Sequence, residues 1–158
     1  MAAEVLIVDY SWSGTTAKMA AALQQVTGAQ LVNLTVAPAT FGSDMYATSD
    51  IANQQLASGK LPQLTNSLPD LSQYDIILVG GPVWSAKVST PVRTFLGKLK
   101  NYKGTVAPFY TDAGTPGDYE ADFAKLLPQA TVKPGLGMTI QDLQQADARL
   151  TAWWERTL

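Results

Sequence analysis

The chain has 158 residues, 46% hydrophobic and 15% charged, with a formal net charge of −2. That length predicts one domain, residues 1–158, and the slight acidity argues against nucleic acid or an anionic membrane as a partner. Cysteine and histidine are both absent, which excludes disulfides, thiolate catalysis and Cys-ligated metal or iron–sulfur sites, and removes the commonest general base and metal ligand.

In chain order, Val5-Leu6-Ile7-Val8 reads as a buried strand. Ser11-Trp12-Ser13-Gly14-Thr15-Thr16 follows and opens a helix with Ala17, Ala20, Leu23 and Val26 on its apolar face. Strand, hydroxyl-rich turn and helix N-terminus in that order make an anion site. The hydroxyls donate, backbone N–H groups converge, and the helix dipole favours negative charge. Capping a helix takes one hydroxyl, and here four lie within six residues. With no Lys or Arg in the turn, the neutral donors suit a phosphate monoester held in place rather than transferred.

Gln30-Leu31-Val32-Asn33-Leu34 predicts a second strand. The forty residues that follow exceed a simple crossover, and are read as a loop through Phe41 and Gly42, a helix from about Ser49 to Ser58, a stop at Gly59 and an extended stretch. Asp75-Ile76-Ile77-Leu78-Val79 has the continuous apolar character of a central parallel strand. It runs into Gly80-Gly81-Pro82-Val83-Trp84-Ser85-Ala86-Lys87. Thr90 as N-cap and Pro91 at the first helical position start a helix that buries Val92, Phe95, Leu96 and Leu99.

Thr105 to Tyr110 predicts a fourth strand, followed by the loop Thr111-Asp112-Ala113-Gly114-Thr115-Pro116-Gly117-Asp118-Tyr119. A helix with Phe123, Leu126 and Leu127 stops at Pro128. Thr131-Val132-Lys133-Pro134 starts a fifth strand, whose Lys and Pro mark a sheet edge. The last helix, about Gln141 to Arg156, carries Leu143, Ala146, Leu150 and Trp153 on one face, with Thr139 and Asp142 as a capping box. Of the adjacent Trp153 and Trp154, Trp153 fits the core stripe.

This alternation predicts an α/β fold with helices on both faces of a five-stranded parallel sheet. Ligands of such sheets bind outside the carboxyl ends of the strands, where strand order reverses. With the first and third strands adjacent, the hydroxyl loop, Trp84 and the loop after the fourth strand share one crevice. A phosphate cradle beside an exposed indole suits a ligand with a phosphate at one end and a flat ring at the other. Asp9, at the end of the first strand, invites comparison with a phospho-accepting receiver domain, but the acidic pocket and later lysine of such a domain are missing. A phosphatase on a similar sheet would need a cysteine.

The chain resembles the flavodoxin family of FMN-binding proteins over nearly its whole length. Ser11-Trp12-Ser13-Gly14-Thr15-Thr16 is similar to the family's Thr/Ser-x-Thr/Ser-Gly-x-Thr phosphate loop. Gly81-Pro82-Val83-Trp84 and Pro91-Val92-Arg93-Thr94-Phe95-Leu96 resemble the second flavin loop and its helix in flavodoxin-like reductase relatives. Gly117-Asp118, then Tyr119 and Phe123, is similar to the third loop, although this one is about two residues longer. The resemblance implies a three-layer α/β/α flavodoxin-like fold of order 2-1-3-4-5, for which flavodoxin with FMN at its switch point is the standing example.

It also implies noncovalent FMN, with Ser11, Trp12, Ser13, Gly14, Thr15 and Thr16 around the phosphate. Trp84 stacks on the ring, flanked by Pro82, Val83, Ser85 and Ala86. Thr111, Asp112, Ala113 and Gly114 meet the polar edge, and Tyr119 stacks on the outer face. A peptide after the tryptophan reorients on flavin reduction in the family. Here that is Ser85–Ala86, and its carbonyl-inward form asks for φ > 0 at Ala86. Asp112, Asp118, Glu120 and Asp122 would disfavour an anionic reduced flavin and steer a basic partner, blunted by Lys87 and Arg93.

The implied function is electron transfer between redox-partner proteins or small electron acceptors. The alternative is an FMN-dependent NAD(P)H:quinone or flavin reductase, in which the 35–74 excursion, through Phe41 and Tyr46, walls a second site. A scaffold without flavin is disfavoured by the intact phosphate loop. No metal and no catalytic side chain is expected. No apolar run reaches membrane-span length, and Met1-Ala2-Ala3-Glu4 is unlike a signal peptide, so the expected location is the cytoplasm.

Overall fold

Leu6, Ile7 and Val8 of β1 (Val5–Asp9) have no exposed surface, so this strand is covered on both faces, as its unbroken apolar run requires. A computed structural model describes residues 3–158. The chain continues through α1 (Thr15–Thr27), β2 (Gln30–Asn33), α2 (Met45–Ser58), β3 (Ile76–Trp84), β4 (Lys87–Val88), α3 (Thr90–Gly97) and β5 (Thr105–Thr111). It closes with α4 (Tyr119–Lys125), β6 (Thr131–Val132), β7 (Leu136–Met138) and α5 (Ala146–Thr157).

The strands form one sheet whose main path is β2-β1-β3-β5-β6, all parallel. This is the expected 2-1-3-4-5 order, with seven strands in place of five. One addition, β4, is a two-residue antiparallel return on the end of β3. The other, β7, pairs with β5 beyond β6. The fifth strand thus divides at Lys133-Pro134-Gly135, where Pro134 has no N–H to give the ladder. Glu120 fills the gap, accepting from Gly135 N at 2.7 Å and from Tyr110 Oη at 2.5 Å.

The periodicity of each helix decides which face of the sheet it covers. Met19, Ala20 and Leu23 of α1 pack with Leu150 and Trp153 of α5 against Ile7, Leu78 and Phe109. Val92, Phe95, Leu96, Phe123 and Leu127 from the α3 and α4 segments cover Leu6, Val8, Ile77 and Val79 on the other face. The Trp153 indole donates to Pro134 O at 2.9 Å, fixing α5 to the sheet edge. The capping box forms reciprocally, with Thr139 N to Asp142 Oδ2 at 2.9 Å and Asp142 N to Thr139 Oγ1 at 3.2 Å. It heads a short 3-10 turn, Asp142–Gln145, before α5 begins.

Two helix starts differ from expectation. Ser89, one residue earlier than Thr90, is the N-cap of α3. Helix α2 begins at Met45 rather than near Ser49, because the Asp44 carboxylate accepts from Tyr46 N and Ala47 N at 2.8 and 3.0 Å. The excursion is pinned to the end of β2 by a Val36–Leu64 bridge and by Thr65 N donating to Thr35 O at 2.8 Å. Among the described residues no helix is long and apolar enough to cross a membrane.

Candidate functional site

The N-terminus of α1 is uncapped. Its N-cap is Gly14 at φ 97°, a left-handed conformation that glycine adopts without steric cost, and no side chain accepts from the helix's first turn. The first N–H groups of any α-helix lack partners within the helix, and here no capping side chain supplies one. Ser11 Oγ accepts from Gly14 N at 3.0 Å, which shapes the loop and leaves its own O–H to donate outward. Ser13 Oγ and Thr15 Oγ1 lie 3.3 Å apart. The buried Thr16 and Thr111 hydroxyls, 2.7 Å apart, join α1 to the end of β5. One of that pair donates to the other, so one proton at most remains free.

Trp84 ends β3 half-buried. Tyr10 and Phe41 meet its indole edge-on, at centroid separations of 6.0 and 5.1 Å. Ser85 and Ala86 then turn the chain into β4 with φ of 54° and 63°. Positive φ at both central residues marks a type I′ hairpin, which ordinarily carries Asn-Gly. For the carbonyl-inward form the expected turn is type II-like, with positive φ at Ala86 alone; Ser85 shares the positive φ here, so the turn is of another type. Gly117, at φ 57°, passes so close that a Cβ there would lie 2.4 Å from the Ala86 Cβ. The third loop therefore rests on the hairpin tip. Gly117→Ala is expected to destabilise the fold by roughly 2 kcal/mol through overpacking and a strained φ. Ala86→Gly in the same chain should restore most of it, as read by urea unfolding of the two single variants and the double variant.

Tyr119 is not in the crevice. It has no exposed surface and packs between Tyr110, at 4.5 Å, and Phe123, at 6.4 Å. The Gly117–Asp118 backbone delivers it to the first turn of α4 with its ring inward, so it cannot stack on the outer face of a bound ring. Burial also pushes its hydroxyl well above the ordinary tyrosine range. Two of the four acidic groups are likewise committed elsewhere. Asp122 pairs with Arg93 and accepts from Val88 N, and Glu120 serves the sheet edge. Asp112, whose Oδ2 accepts from Gly114 N at 2.8 Å, and Asp118 remain.

A cleft of about 490 Å³ gathers Trp12, Ser13 and Thr15 from the first loop, Pro82, Val83, Trp84 and Ser85 from the second, and Thr111, Asp112 and Ala113 from the third. Ser11, Gly14, Thr16, Ala86, Gly114 and Tyr119 do not line it. The cleft also takes Met45, Tyr46, Thr48, Ser49 and Ile140, of which only Tyr46 was foreshadowed in the sequence. The Asp44 cap was the available signal for the α2 residues, and nothing local marked Ile140. A second cleft of about 560 Å³, bounded by Leu34, Thr35, Val36 and Phe41, meets the first loop through Ser11, Trp12 and Ser13 but touches neither other loop. Of these two clefts, only the three-loop cleft joins all three loops.

The residues fit a phosphorylated flat ring. The uncapped helix start and its hydroxyls have the donors a phosphate requires, and an indole packed nearly perpendicular to two aromatic rings has a face a flat ring can stack on. A search of curated proteins finds no match. A flavoprotein from Lactobacillus acidophilus NCFM, solved in complex with FMN, is 36% identical over 91% of this chain and 98% of its own, with a TM-score of 0.82. The NMR structure of the apo-form of the flavoprotein from the same organism is 39% identical over 87% and 93%, with a TM-score of 0.69. The flavodoxin, WrbA-like protein from Agrobacterium tumefaciens shares the fold at 16% identity, covering 99% of this chain and all of its own, with a TM-score of 0.57. The family profile described as flavodoxin matches residues 4–157, and the chain belongs to the flavodoxin family.

Proposed function

We propose that this chain is a single-domain, cytoplasmic electron carrier that holds FMN noncovalently in the three-loop cleft. The observation that carries the reading is the presence in one cleft of an uncapped, hydroxyl-rich helix start and a half-buried indole. Bound FMN supplies one- and two-electron chemistry, and the protein's part is to hold and tune it. The α1 N–H groups with Ser13 and Thr15 hold the phosphate, Trp84 holds the ring, and Ser85, Asp112 and Ala113 border its polar edge. The pairing of Asp122 with Arg93 leaves Asp112 and Asp118 to disfavour negative charge on the reduced ring.

No Lys or Arg lines the cleft, so it offers the pyrophosphate of a nicotinamide nucleotide no cationic partner, which favours the carrier over the reductase reading. Titration of apo-protein with FMN, FAD and riboflavin should give tightest binding for FMN, and equal affinity for riboflavin would overturn the phosphate assignment. NADH and NADPH oxidation with a quinone should be negligible.

A further inference from the structure

Tyr119 is sequestered, and the loop from Thr111 to Asp118 has no aromatic residue. The third loop therefore supplies no ring to cover a flavin from outside. The three-loop cleft has three aromatic linings, Trp12, Tyr46 and Trp84. Trp12 is engaged, its Nε1 donating to Gly42 O at 3.2 Å and its ring packed on the core. Trp84 is backed by Tyr10 and Phe41. Tyr46 differs from both. Its backbone is fixed by the Asp44 cap, yet the residue is 82% exposed at the cleft.

Two neighbours on the lining share that exposure, Met45 at 68% and Ile140 at 66%. The only other large exposed hydrophobics among the described residues are Leu61 and Leu158, which lie away from the cleft. Isolated exposed apolar side chains are ordinary, but three gathered on one cleft mark a surface built to be covered. They come from two segments far apart in the chain, the start of α2 and the segment between β7 and α5. Neither carries a Lys or Arg at the cleft, so the wall suits a neutral, flat, apolar face.

We propose that Tyr46, flanked by Met45 and Ile140, forms the outer wall of the flavin site and stacks on the ring face that Trp84 leaves uncovered. The inference rests on FMN occupying the cleft as proposed above. It assigns to α2 the aromatic contact that the third loop lacks, and gives the long excursion between β2 and β3 a role at the cofactor. Two aromatic faces and a thioether are well suited to sandwich an electron-poor ring.

The test is FMN titration of stripped wild type, Tyr46→Ala, Tyr46→Phe and a Met45→Ala/Ile140→Ala double variant, with iodide quenching of the bound flavin as a second readout. Tyr46→Ala should weaken FMN binding on the order of tenfold and make the bound flavin more accessible to iodide. Tyr46→Phe should retain both properties, and the double variant should fall between. Because Tyr46 is so exposed, the unfolding midpoint of the apo-protein should not move. If wild type binds FMN and Tyr46→Ala binds it equally well with unchanged quenching, the wall assignment is overturned while the proposed function stands. If wild type does not bind FMN, both fall.

Discussion

Asp9→Asn is expected to raise the unfolding temperature of the apo-protein at pH 8 by on the order of 10 °C and to leave it nearly unchanged at pH 4. Asp9 ends β1 with 1% of its surface exposed, and its Oδ1 has no hydrogen-bond partner. It shares a sheet face with Gly80, its register partner on β3, where the Phe109 ring fills the space a side chain would take. Burial alone pushes its carboxyl up to about 7 from 3.8.

The sign follows from proton counting. Between about pH 4 and pH 7 the native chain holds a proton on Asp9 that the unfolded chain has lost, so the unfolded state binds fewer protons and stability falls as pH rises through that window. The loss is complete above the native value and amounts to about 4 kcal/mol, as an upper figure. Asn keeps the shape without the charge, so the variant should follow wild type at low pH and part from it at high pH. Thermal melts of both proteins at pH 4, 6 and 8 give the comparison. Parallel pH profiles would mean that water or a rearranged partner solvates the carboxylate.

Trp84→Ala carries the next largest expected effect, a loss of roughly 1–3 kcal/mol in FMN binding by analogy with aromatic–base stacking. Tyr10 and Phe41 pack nearly perpendicular to the indole, so its orientation is set before a ligand arrives and little ordering cost is left for binding. Trp84→Phe keeps a flat face and should recover part of the affinity. Flavin fluorescence titration measures both, and unchanged affinity together with unchanged quenching in Trp84→Ala would remove this residue from the site.

How far sequence could see depended on whether a feature was local. Buried parallel strands announce themselves as apolar runs, so β1, β3 and β5 stood out, and with them the edge where their loops meet. The first loop was legible because its hydroxyl density exceeds what capping needs. Helix α2 was only half visible. Its buried residues are the small Thr48 and Ala52, which leave little periodic contrast, so its first turn was missed and Met45 with it. Tyr119 misled for another reason. Its spacing from Phe123 fitted the third-loop pattern, but whether a residue at a helix start faces inward depends on the preceding backbone, here Gly117 at φ 57°. Ile140 belongs to the cleft only because the divided edge strand ends where it does, a contact between distant parts of the chain.

The Gly42 carbonyl accepts from Trp12 in the first loop and from Thr48 Oγ1 in α2, at 3.2 and 3.1 Å. One oxygen therefore ties two segments that are far apart in the chain. Surface connections of this length usually absorb added or deleted residues at small entropic cost. This one has lost that freedom between Thr35 and Asp44. A residue inserted there would displace Gly42 and take the start of α2 and the Trp12 indole out of alignment together. Tolerance to length change should instead lie between Gly59 and Leu61, beyond the helix and before Pro62, whose carbonyl accepts from Thr94 Oγ1.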